Sequence, residues 1–149
     1  MKKTIKSLKE MDTFASEIVN FLNPNHPMPR TATVLALRGD LGSGKTAFVK
    51  SLGKALGLRD NITSPTFVIM KSYQIIEHSV FNNLVHIDAY RIEEKRELEI
   101  LGWREIIADP KNLVVVEWPE RVAKIIPKNV IKINFEFVDE ATRRVCIKK

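Results

Sequence analysis

The stretch Gly39-Asp40-Leu41-Gly42-Ser43-Gly44-Lys45-Thr46 constrains the fold of this chain more than any other. It satisfies G-x-x-x-x-G-K-[S/T] in full. Before it runs the apolar TVLALR; after it comes KTAFVKSLGKALG, whose Phe48, Val49, Leu52, Ala55 and Leu56 share one helical face. A buried strand, a glycine loop and an amphipathic helix therefore follow one another. Glycines let successive backbone N–H groups turn inward around a phosphate, and the helix adds its N-terminal amides and positive dipole end. Lys45 offers a point charge to the β- and γ-phosphates, and the Thr46 hydroxyl a ligand to Mg²⁺. The expectation is a site for a nucleoside triphosphate.

The remaining segments fit the same frame. SLKEMDTFASEIVNFL opens with a Ser7-x-x-Glu10 capping box and carries Leu8, Met11, Phe14, Ala15, Ile18, Val19 and Leu22 at helical spacing. The proline-rich NPNHPMPR ends that helix. TFVIMKSYQII, LVHIDAY and LVVVEW read as strands, and RIEEKRELEILGWREIIAD as a helix broken or kinked at Gly102. VIKINFEFV and RRVCIKK flank DEAT as a terminal hairpin, with Ile131, Ile133, Phe135 and Phe137 alternating with polar residues. One α/β domain over residues 1–149 is expected: a P-loop NTPase-like three-layer sandwich with a mainly parallel central sheet and an antiparallel edge hairpin.

Two acidic residues close apolar strands, Asp88 after LVHI and Glu117 after LVVV. Strand C-termini converge on the ligand crevice of such sheets, so both are candidates for the metal or the attacking water. Ser64-Pro65-Thr66-Phe67 could present Thr66 to the γ-phosphate as a switch element does, although a proline turn before a strand is common. His86 shares a strand face with Asp88, as a core residue or one that orients it. Trp118, beside Glu117, fits either a core or an exposed contact.

No apolar run approaches the roughly 20 residues of a membrane helix, and MKKTIKSLKE lacks the apolar segment of a secretory signal. The single Cys146 reads as a buried structural thiol, and a cytoplasmic setting is expected. The net charge of +6 allows an acidic partner. The lysines are scattered along the chain, however, and a solvated surface accounts for most of them.

Taken together, GDLGSGKT, SPTF, His86-x-Asp88-x-Tyr90-Arg91, Leu101-Gly102-Trp103 and VVEWPE (Val115 to Glu120) resemble the TsaE (YjeE) family of bacterial P-loop ATPases. The likeness spans nearly the whole chain. Ser43 stands where the family often has alanine and Ala89 where leucine is usual. The loop Pro24 to Arg30 is longer than its counterpart. The resemblance implies slow ATP hydrolysis with Mg²⁺, in support of threonylcarbamoyladenosine formation on tRNA. It also implies TsaB and TsaD as partners, with tRNA reached through that complex. It makes Leu41, Gly42, Ser43, Gly44, Lys45 and Thr46 the phosphate cradle, and Thr46 with Glu117 the Mg²⁺ ligands. Lys45, Asp88 and Glu117 become the catalytic set, and Ser64 to Thr66 a first switch. Thr13 becomes a contact to the nucleotide base, and Trp118 a functional aromatic.

Two rivals are weaker. A GTPase would carry a late [NT]-K-x-D motif, and none is present. A small-molecule kinase of the P-loop class would need an arginine-bearing lid to exclude water. After the Asp88 strand, only Arg91, Arg96 and Arg104 offer themselves, in a glutamate-rich helix.

Overall fold

The computed structural model describes residues 1–23, 29–59, 61–78 and 80–148. The proline-rich loop, with His26, falls largely outside them. Seven strands form one sheet in the order β1 (Lys2–Ile5), β7 (Arg143–Lys148), β6 (Ile131–Phe137), β2 (Thr33–Arg38), β5 (Asn112–Glu117), β4 (Asn83–Asp88), β3 (Met70–Gln74). The central strands β6, β2, β5 and β4 run parallel. At one edge β3 is antiparallel to β4; at the other, β7 is antiparallel to β6 and β1 antiparallel to β7. The expected mainly parallel sheet is present, with its C-terminal hairpin at an edge. A second antiparallel edge, β3, lies opposite.

One face is covered by α1 (Leu8–Leu22) and α2 (Lys45–Ala55), which pack against each other and against Leu35, Leu37, Leu84, Leu113, Val115 and Ile133. Phe48 of α2 joins the layers: its ring lies 5.4 Å from that of Phe14 and 5.6 Å from that of Phe135. On the other face, α3 (Lys95–Ile100) and α4 (Trp103–Ala108) cover Val34, Ala36, Val85, Ile87, Val114 and Val116. β5 is buried along its whole length, as a central parallel strand must be.

Local signals act as the side chains require. Ser7 Oγ accepts from the Glu10 amide, whereas Glu10 reaches one residue further back, to the Lys6 amide at 2.8 Å. Gly102 separates α3 from α4 at φ 86, a left-handed conformation that favours glycine. Two expectations are corrected, the start of β3 and the burial of Cys146, and the strand at Lys2–Ile5 and the exposure of Phe137 are added. The Lys2–Ile5 segment is a strand, created by pairing with β7 rather than by any local pattern. β3 begins only at Met70, because Thr66 to Ile69 form a turn in which the Val68 amide donates to the Pro65 carbonyl. Phe137 is half exposed at the hairpin end, with the Arg143 guanidinium 4.7 Å above its ring. Cys146 is only half buried.

Candidate functional site

The C-terminal ends of β2, β4 and β5 open beneath the N-terminus of α2, around a cleft of about 440 Å³. Gly39 leaves β2 so close to β6 that a Cβ there would run into the Phe135 carbonyl oxygen. Gly44 enters α2 at φ 104. Leu41, Gly42, Gly44, Lys45 and Thr46 line the cleft. Ser43 does not show its side chain there: its hydroxyl is buried under the loop with no partner among the described residues, so only its backbone can serve.

Lys45 is buried, and its ammonium donates to the carbonyls of Gly39 (2.6 Å) and Asp40 (2.9 Å) while lying 4.3 Å from the centre of the Trp118 ring. Burial pushes its pKa below the ordinary lysine value, opposed by the carboxylates of Glu117 and Asp88. A cation held this way is desolvated in advance and bonded only to neutral carbonyls, which an anion can replace.

Asp88 and Glu117 are Cα partners on adjacent parallel strands. Both lie almost out of solvent, at 6% and 3% exposure, where an isolated carboxylate is costly. Glu117 is on the face that meets α2, so the Thr46 hydroxyl donates to its Oε1 at 3.1 Å. His86 Nε2 lies 2.8 Å from the same oxygen, and its Nδ1 has no partner among the described residues. Asp88 Oδ2 accepts from the Thr66 hydroxyl at 2.9 Å, and Oδ1 from the Tyr90 amide at 3.0 Å. Ser64 Oγ stands 2.6 Å from Thr66 Oγ1. The hydroxyl of Thr46 beside two buried carboxylates is the all-oxygen donor set that Mg²⁺ prefers. Thr46 and Glu117 fit as its holders, with Asp88 beside them.

The structure does not bring Thr13 into the cleft. Its side chain is exposed and donates to the Lys9 carbonyl of its own helix. The face of α1 that approaches Gly44 carries Met11, and two further residues at about 100° each turn Thr13 well away from it. Ser7, Leu8 and Met11 instead line an adjoining pocket of about 260 Å³. Arg143 borders both cavities and was not singled out from the sequence. An arginine opening a hairpin strand carries no motif, and only the return of β7 beside the glycine loop places it there. Tyr90, two residues beyond Asp88 and part of the motif read in the sequence, joins the cleft wall with its ring 5.1 Å from that of Trp118.

Sheet order, glycine loop and paired strand-end carboxylates together define an α/β protein of the P-loop-like class. Residues 5–145 match the family model described as threonylcarbamoyl adenosine biosynthesis protein TsaE, and the chain belongs to that family. Among its relatives are two proteins named tRNA threonylcarbamoyladenosine biosynthesis protein TsaE. The one from Borreliella burgdorferi is 34% identical over 134 residues, 89% of each chain. The one from Rickettsia typhi is 33% identical over 147 residues, 98% of this chain and 93% of its own. A crystal structure of Bacillus subtilis YdiB superposes with a TM-score of 0.70 at 26% identity, covering 97% of this chain and 82% of that one.

Proposed function

We propose that this protein is a Mg²⁺-dependent ATP hydrolase that supports threonylcarbamoyladenosine modification of tRNA by a TsaB–TsaD complex. The observation that carries the hydrolase reading is the pairing of Thr46 with Glu117 and of Thr66 with Asp88, two hydroxyl–carboxylate contacts facing one buried lysine. The pathway and the partners rest on the family.

In this reading Lys45 exchanges the carbonyls of Gly39 and Asp40 for β- and γ-phosphate oxygens. The loop amides from Leu41 to Thr46 surround the β-phosphate. A bound Mg²⁺ would neutralise the charge that develops on the phosphates. His86 fixes the orientation of Glu117. Asp88, held by the Tyr90 amide, faces the γ-phosphate side, where it orients water, and Thr66 reports the γ-phosphate to the segment Phe67–Ile69. Turnover alone is slow: the arginine on the cleft, Arg143, donates to the carbonyls of Asp139 and Thr142 rather than into the phosphate site. An arginine supplied in the transition state is worth about 10³–10⁵ in rate, so stimulation falls to the partners.

The test is steady-state ATP hydrolysis with and without cognate TsaB–TsaD, with GTP in parallel. Low basal turnover, raised by the complex and specific for ATP, is the expected result. Phosphate transferred to a metabolite instead of water would replace this reading with the kinase one.

A further inference from the structure

The sheet is not covered evenly. Helices lie on both faces of β2, β5 and β4, but among the described residues β6, β7 and β1 have a helix layer only on the α1 side, where Ile5, Ile133, Phe135 and Val145 are buried. Their other face carries the alternate residues Lys132, Asn134 and Glu136 of β6, Arg144, Cys146 and Lys148 of β7, and Lys2 and Thr4 of β1. All are exposed or half exposed. Arg38, at the end of β2 on the same face, and Lys128, from the loop before β6, border with Lys132 a pocket of about 320 Å³.

Among the described residues, six cations (Lys2, Arg38, Lys128, Lys132, Arg144 and Lys148) thus share one face with a single carboxylate, Glu136, which is paired to Arg144 at 3.0 Å. None of the other five has an acidic partner among the described residues. Lys132 and Lys148 are direct cross-strand partners, a like-charge juxtaposition that costs stability. Neighbouring strands are about 4.8 Å apart and alternate residues about 6.7 Å, so the face presents a grid of positive charge rather than one focus. The strand side chains on this face include no aromatic or large aliphatic one of the kind on which protein–protein interfaces depend, and the apolar Ala36, Pro119, Ala123, Ile126, Pro127 and Val130 are confined to the pocket. A flat, strongly basic and polar surface is what nucleic-acid interfaces have.

We propose that this face binds the phosphate backbone of RNA directly, with Arg38, Lys128 and Lys132 together meeting one phosphate. The choice of RNA over DNA rests on the family's tRNA role; the charge of the face is independent of ATP hydrolysis. Contact would be sequence-independent and steeply salt-dependent.

The experiment titrates the full chain with an unmodified tRNA transcript over a salt series, beside a triple variant Lys2→Gln/Lys132→Gln/Lys148→Gln. A control of equal charge, Lys9→Gln/Lys50→Gln/Lys95→Gln, removes lysines from the helices. The face variant should bind at least about tenfold more weakly and flatten the salt dependence by about two to three in slope, roughly one for each phosphate no longer neutralised. The control should bind as the unaltered protein does, and all three should hydrolyse ATP alike. Equal losses in face variant and control, unchanged binding by the face variant, or no tRNA binding even at low salt would each overturn the proposal. So would polyglutamate binding as tightly as tRNA, since that would mark a site for acidic protein. Absence of ATP turnover in the unaltered protein would remove the hydrolase reading and leave this surface standing.

Discussion

The two halves of the sheet handle charge in opposite ways. Where β2, β5 and β4 are covered on both faces, the strand interiors are aliphatic, and the polar exceptions beside the cleft are His86, Asp88 and Glu117. Each is held by a named partner there. Across β6, β7 and β1, the uncovered face carries lysines and arginines that water can solvate. Burial makes a polar group expensive, so in the first half it singles out candidates for chemistry. In the second half an exposed charge costs little, and only its gathering on one face carries information.

The largest effect that would test this contrast is on stability. Leu113→Ala, fully buried in β5, should cost about 2–5 kcal/mol in denaturant unfolding. Lys132→Ala on the bare face should stay within about 0.5 kcal/mol or stabilise slightly, because it relieves repulsion from Lys148. Equal costs would break the comparison.

Glu117→Gln keeps an acceptor for Thr46 and His86 but removes the charge. It should lower kcat by about 10²–10³-fold while retaining much of the ATP affinity. Unchanged single-turnover hydrolysis would reduce Glu117 to a structural partner of His86. Next, Lys45→Ala should weaken nucleotide binding by about 100-fold in calorimetry, since charge-assisted hydrogen bonds are worth about 1.5–3 kcal/mol each. Retained affinity would show that the loop amides suffice.

The smallest effect belongs to the exposed Asp12–Lys54 pair between α1 and α2. The Lys54 ammonium, with help from the Ser51 hydroxyl, holds the Asp12 carboxyl below its ordinary value of 3.8. A depressed carboxylate pKa gives stability that is present above the unfolded value and lost as pH falls through the folded one. Thermal melts carried into the acid range should show Asp12→Asn flattening that limb by less than about 1 kcal/mol, the pair being open to solvent. A neutral-pH loss larger than this would mean that the contact clamps the two helices together.

The glycine loop, the strands β2, β4 and β5, the breaking of the Arg91–Asp109 segment at Gly102 and the two carboxylates were legible in the sequence. Each rests on a local rule: left-handed turns favour glycine, buried parallel strands read as apolar runs, and strand C-termini meet the crevice. Thr13 lies outside the cleft lining, and a motif position does not say which face of a helix meets the loop. β1 and the turn before β3 were missed because pairing and the Thr66–Asp88 bond, not propensity, decide them. Local patterns alone specified a glycine loop between a strand and a helix of an α/β sheet, and an acid at the end of two further strands. Long-range pairing then sets Asp88 and Glu117 side by side, brings Arg143 to the border of the cleft, and gathers lysines far apart in sequence on one uncovered face. Strand order and register are set by long-range pairing, and no local pattern encodes them.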